Sequence, residues 1–154
     1  MNKLLANRLK VELNELKEYP QFSVDIDKKN QMIWYVSFKG EEKTLYENEN
    51  FKIKFEFPAD YPMKKPAVTF VEHIPINPYV FSNGLICLNI LDTEWTPLLR
   101  VSTISVSVVN LLSSTTEKKK PVNDEEVCKS GCKNFNQGHW THNYKNIYTN
   151  IFYI

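Results

Sequence analysis

The chain has 154 residues, a net charge of +1, and 42% hydrophobic and 24% charged residues, which fits one domain able to bury a single core. So small a charge gives no footing for nucleic acid or an anionic membrane surface, and no run approaches the ~20 apolar residues a bilayer span needs. Three cysteines without disulfide-scaffold spacing fit a reducing compartment. Lys3, Arg8, Lys10 and Glu12 stand where a secretory leader needs an apolar run, so the expected location is cytoplasmic or nuclear.

Leu5, Leu9, Leu13 and Leu16 predict an amphipathic helix over residues 3–18, with Lys3, Asn7, Lys10, Asn14 and Lys17 on its opposite face. Tyr19-Pro20 ends it, because the residue before a proline avoids helical geometry. Phe22, Val24 and Ile26 alternate with polar residues and predict a strand, followed by a turn at Lys28-Lys29-Asn30. Residues 32–39, rich in aromatic and β-branched side chains, predict a second strand closed by Gly40. In the third, Phe51, Ile53, Phe55 and Phe57 face one way while Lys52, Lys54 and Glu56 face water. Residues 61–66 then make a stiff bend with two prolines, and Met63 at its tip has no evident core to fill. Residues 67–71 predict a fourth strand. Four strands on short links argue an antiparallel meander, solvated on one face and covered by a helix on the other, in the α+β class.

From 77 to 97 the chain is irregular. Pro75 and Pro78 stiffen the approach, and Asn83-Gly84 predicts a tight turn in which both residues tolerate positive φ. Cys87 follows, among Leu85, Ile86, Leu88, Ile90 and Leu91. A thiol held on a rigid shelf against an apolar wall suits a covalent acyl carrier. The same pattern suits a buried structural cysteine, and chemistry alone leaves both open. Residues 101–114 are also open. Val101, Ile104, Val108 and Leu111 follow helical spacing with Ser102 as N-cap, whereas Ile104, Val106 and Val108 alternate as in a strand.

Pro78, Ser82-Asn83-Gly84, Ile86-Cys87-Leu88, Ile90-Leu91 and Trp95-Thr96-Pro97 resemble the active-site signature of ubiquitin-conjugating enzymes, with the spacing from proline to cysteine kept. The resemblance implies the ubiquitin-conjugating fold: N-terminal helix, four-stranded meander, active-site loop, then residues 101–114 as a helix packed behind. It implies that Cys87 accepts ubiquitin as a thioester from an activating enzyme and passes it to an acceptor amine, without metal or cofactor. Pro78, Asn83 and Trp95 would belong to the active-site loop. Arg8 would stand at a helix-one contact, and Met63 with Thr96, Pro97 and Leu98 would form the groove gripped by a ligase of RING or U-box type. Asn77 and Tyr79 depart from the family, which has histidine and asparagine there. That asparagine is taken to stabilise the oxyanion of the transfer, a role worth ~3 kcal/mol. Tyr79 offers a hydroxyl on a longer, stiffer arm. The expected catalytic set is Cys87, Tyr79 and Asn77.

Beyond Ser114, the order Leu112-Ser113-Ser114, Lys118-Lys119-Lys120-Pro121, Cys132, Trp140 and His142 resembles the W-type enzymes of the family. This divides the chain into a core, 1–123, and a divergent C-terminal tail, 124–154. The W-type likeness implies transfer to the α-amino groups of substrates with flexible N-termini. A lysine amine, pKa ~10.4, is protonated at neutral pH, whereas an α-amino group at ~7.7–8.0 is partly neutral and needs no acidic residue beside the thiol. Lys118 and Lys119 would repel a protonated lysine, unless Glu117 or Asp124 folds back to supply an acid. Trp140 and His142 would hold the substrate's N-terminal segment. Cys128, Cys132, His139 and His142 are four potential zinc ligands, but intervals of three, six and two residues lack a finger's long middle loop, and no metal is expected. The rival function is a catalytically weak family variant serving as a binding scaffold. Such variants typically lack the cysteine, which this chain keeps.

Overall fold

Leu5, Leu9 and Leu16 turn one side of α1 (Lys3–Leu16) into the core, with Leu13 packed at its margin. The structure, a computed structural model, describes residues 3–131. The helix stops short of residue 18 because its end tightens: the amides of Glu18 and Tyr19 donate to the carbonyls of Glu15 and Leu16, three residues back, at 3.0 and 3.1 Å.

The four expected strands form one antiparallel sheet in sequence order: β1 (Ser23–Ile26), β2 (Ile33–Lys39), β3 (Asn50–Glu56) and β4 (Ala67–Val71). Val36 pairs with Ile53 and Ile53 with Phe70, while Trp34 pairs with Phe55 and Phe55 with Val68. This register gathers those six side chains on one buried face and leaves Lys52, Lys54 and Glu56 on the other. The turn between β1 and β2 is built by Asp27, whose Oδ1 accepts the amides of Lys29 and Asn30, both at 2.8 Å.

Residues 101–114 resolve as a helix, α2 (Val101–Ser113), which buries Val101, Ile104, Val108 and Leu112. One apolar cluster joins α1, α2 and the inner face of the sheet. Each fully buried Val, Leu or Ile contributes about 1.5–3 kcal/mol. Ser102 is not the N-cap. That position falls to Arg100, which makes no side-chain cap, and Ser102 lies inside the helix with its hydroxyl donated to Glu15. The amide of Val101 is satisfied from α1 instead, by Glu12 Oε2 at 2.8 Å.

A short helix, α3 (Asp124–Lys129), follows residue 123 and buries Val127 against the loop that carries Cys87. Packing therefore continues past the 1–123 boundary read from sequence. Among the described residues no helix is long and apolar enough to cross a membrane.

Candidate active site

The loop between β4 and α2 hangs from the edge of the sheet. Phe70 donates its amide to the Gly84 carbonyl at 2.8 Å, and Thr69 bridges Leu85. Residues 81–84 close a turn, with the Gly84 amide on the Phe81 carbonyl at 2.8 Å and the Phe81 amide on the Leu85 carbonyl at 2.9 Å. Of the Asn83-Gly84 pair only Gly84 takes positive φ, +90°. A Cβ at that position would lie 2.2 Å from the Phe70 carbonyl oxygen, so the close approach to β4 requires glycine. Asn83 serves the turn through its side chain, whose Oδ1 accepts the Leu85 amide at 3.2 Å.

The returning strand places Cys87 opposite Tyr79, donating its amide to the Tyr79 carbonyl at 2.8 Å. The thiol residue is 5% exposed and shares a small apolar cluster with Phe81, Leu85 and Val127, Tyr79 packing at the margin. Among the described residues the Tyr79 hydroxyl has no hydrogen-bond partner, whereas Asn77 is fully engaged. Its Nδ2 donates to Tyr46 Oη at 3.1 Å and Thr115 Oγ1 at 2.8 Å, and its Oδ1 accepts the Tyr79 amide at 2.8 Å. Asn77 is 0% exposed. With its side-chain oxygen and nitrogen both engaged, Asn77 ties the loop to Tyr46 and Thr115.

A carboxylate does come to the loop. Asp124, at the start of α3, accepts the Ser82 amide on Oδ1 and the Ser82 hydroxyl on Oδ2, both at 2.6 Å. Burial, the largest influence on this carboxyl, raises its pKa, but the Ser82 donors and Lys120 outweigh it and hold it below the usual range. Cys128 sits one turn on with its thiol 3.7 Å from Asp124 Oδ1; burial first, then that charge, pushes the thiol's pKa up and disfavours its thiolate. The basic run is ion-paired at the surface. Lys118 is drawn to Glu49 and lies over the Tyr46 ring at 4.8 Å, and Lys119 pairs with Glu117. Both are solvent-exposed pairs, in which water screens the attraction and neither lysine loses its charge.

Three segments meet beside α1. Trp95 donates its indole N–H to the Pro62 carbonyl at 3.1 Å, joining the 61–66 bend to the 95–99 loop. Arg8 reaches the Leu99 carbonyl at 2.8 Å. Met63 and Leu98 project as exposed apolar side chains, 74% and 85% exposed, with Thr96 exposed and Pro97 half-buried between them. Arg8 itself turns inward, paired with Glu12 and 5.7 Å from the centre of the Tyr61 ring.

Trp140 and His142 lie outside the described residues, as do Cys132 and His139 of the zinc alternative. Among the described residues no cluster of three metal-ligating side chains occurs. Sequence reasoning passed over Glu12 and the Tyr46–Asn77–Thr115 link, and named Asp124 as an acid that could fold back without finding its partner Ser82. Glu12 carried one signal, an acid lying between Leu9, Leu13 and Leu16 on the apolar stripe of α1. The others carried none, since their partners are distant in sequence.

The sequence model described as ubiquitin-conjugating enzyme matches residues 8–145. The ubiquitin-conjugating enzyme E2 W of Caenorhabditis elegans is 37% identical over 145 residues, 91% of this chain and 95% of the relative. A protein of Dictyostelium discoideum named probable ubiquitin-conjugating enzyme E2 W is 38% identical, covering 82% of this chain and 85% of its own. The crystal structure of the ubiquitin-conjugating enzyme UbcA1 from Agrocybe aegerita superposes with a TM-score of 0.76 at 30% identity, over 84% of this chain and 96% of that one.

Proposed function

The chain belongs to the ubiquitin-conjugating enzyme family, close to its E2 W members, and from that premise we propose that Cys87 carries ubiquitin as a thioester and delivers it to substrate N-terminal α-amino groups. Enzymes of this family are transferases that work with ubiquitin, an activating enzyme and ligases. In the first step the Cys87 sulfur attacks the C-terminal carbonyl of ubiquitin and displaces the activating enzyme's thiol. In the second the acceptor nitrogen attacks that carbonyl, the carbon–sulfur bond breaks and the thiol of Cys87 is restored.

The observation that carries this reading is the shelf: Cys87 is held by its amide on Tyr79, by a glycine turn on β4 and by Asp124 on Ser82. The Tyr79 hydroxyl, without a partner among the described residues, takes the place of the family's amide as donor to the oxyanion. The acceptor preference is supported by the state of the acids. Asp124 is engaged through both oxygens and Glu117 is paired with Lys119. A lysine would have to lose its proton without their help, while an α-amino group is partly neutral already. Trp140 and His142 steady the acceptor's N-terminal segment in this scheme. The exposed surface of Met63, Thr96, Pro97 and Leu98, with Arg8 beneath it, receives a RING- or U-box-type ligase.

The test begins with activating enzyme, ATP and ubiquitin, read on a gel without reductant. A reductant-sensitive adduct is expected on the natural chain, a reductant-stable ester on Cys87→Ser, and none on Cys87→Ala. A chain that never loads beside active controls is a scaffold. The loaded enzyme is then offered a lysine-free peptide with an unblocked N-terminus, or an N-acetylated peptide with one lysine. Faster discharge by the first is expected; equal or faster discharge by the second leaves a lysine-directed enzyme.

A further inference from the structure

The transfer chemistry makes no use of Glu12, although its carboxylate is 1% exposed at the centre of α1. Burying a charge is costly unless donors surround it, and here they converge from three elements. Oε1 accepts the Tyr61 hydroxyl at 2.6 Å and the Arg8 guanidinium, and Oε2 accepts the Val101 amide at 2.8 Å. The phenol of Tyr61 is held far above its ordinary pKa, by burial first and then by the neighbouring Glu12 charge, so it remains a donor.

Each donor lies close in sequence to an exposed apolar side chain. Tyr61 precedes Met63 by two residues, Val101 follows Leu98 by three, and Arg8 stands one helical turn after Leu4, which is 82% exposed. Arg8 adds a second tie, to the Leu99 carbonyl at 2.8 Å. Capping α2 needs only the bond to Val101, so an N-cap role leaves Tyr61 and Arg8 unexplained. An apolar residue of similar size would fill the space without desolvating a charge, but would not fix the bend, the loop and α1 relative to one another.

We propose that Glu12 is a positioning residue that holds Met63, Leu98 and α1 in one docking surface, and so sets how tightly the ligase is engaged. This rests on the reading of that surface as the ligase site.

The test is single-turnover discharge of ubiquitin-loaded enzyme, with an isolated RING domain titrated in. Glu12→Gln keeps the size but turns an NH2 group toward at least one of the three donors. Its half-saturating ligase concentration is expected to rise about fivefold, with the discharge rate at saturating ligase within about twofold of wild type. A general loosening of the fold would lower the saturated rate as well, and that result overturns the proposal, as does an unchanged half-saturating concentration. Should Glu12→Gln fail to load, Tyr61→Phe removes one donor and leaves the cap on α2, and the same shift is expected of it. Met63→Asp separates the two layers. If it leaves the ligase response as in wild type, the docking surface lies elsewhere and the premise falls. If it weakens the response while Glu12→Gln and Tyr61→Phe do not, the docking reading stands and the role of Glu12 is refuted.

Discussion

Asn77 and Tyr79 flank Pro78 in the loop yet do opposite things. Asn77 is 0% exposed and links Tyr46, Thr115 and the Tyr79 amide. Its loss removes the acceptor of the Tyr79 amide, while the Tyr46 and Thr115 hydroxyls still donate to the carbonyls of Ile76 and Leu111. Leaving a buried donor unpaired costs about 1–3 kcal/mol, and the displaced loop would carry Cys87 with it. Asn77→Ala is therefore expected to slow both loading from the activating enzyme and discharge to an amine. Tyr79→Phe keeps the ring against the Cys87 cluster and removes only the hydroxyl. Slower discharge with unchanged loading is expected, and equal discharge rates would show that the hydroxyl serves no oxyanion. Much of this was invisible in sequence. Cys87 and Gly84 announced themselves through local turn chemistry and a fixed spacing, while the role of Asn77 depends on residues 31 and 38 positions away.

Among the elements, α3 is the one that changes how the site is understood. From sequence it falls in a divergent tail, and in the fold Asp124 clamps Ser82 while Val127, 1% exposed, packs in the Cys87 cluster. Hydrogen bonds to a charged group contribute about 1.5–3 kcal/mol, so Asp124→Ala should destabilise the protein by that amount at pH 7 in urea unfolding. The pH dependence has a definite sign. The folded pKa of Asp124 lies below the ~3.9 of an unfolded aspartate, so the clamp is at full strength above about pH 4 and is lost as pH falls through the folded value. Wild type and Asp124→Ala should therefore converge in stability as pH falls below the unfolded value; a gap that stays constant would show that Asp124 acts by packing alone. Helix α2 makes the complementary point. Its apolar spacing was present in sequence but overlapped a strand pattern, and burial of Val101, Ile104, Val108 and Leu112 in one cluster with the sheet decided it.

At the scale of the molecule, the active-site loop is held between the edge of β4 and α3, with α2 in the cluster beneath the sheet. A chain ending at residue 131 keeps both Asp124 and Val127, and one ending at 123 keeps neither. The first should load ubiquitin at close to the full-length rate, and the second about tenfold or more slowly, because small displacements of a reacting group are costly. Comparable loading by the two in single-turnover assays would exclude α3 from the shelf. The sequence by itself determined the helix at the N-terminus, the four strands and their order, the turn at Gly84, and a cysteine in a family signature. Those features depend on periodicity and turn chemistry that act within a few residues. Only the tertiary structure decided the partners of the buried polar groups: Glu12 reaching Val101 across 89 positions, and Asp124 reaching Ser82 across 42. A buried carboxylate must find donors, but which ones it finds is set by how helices and loops pack, and no local pattern records that.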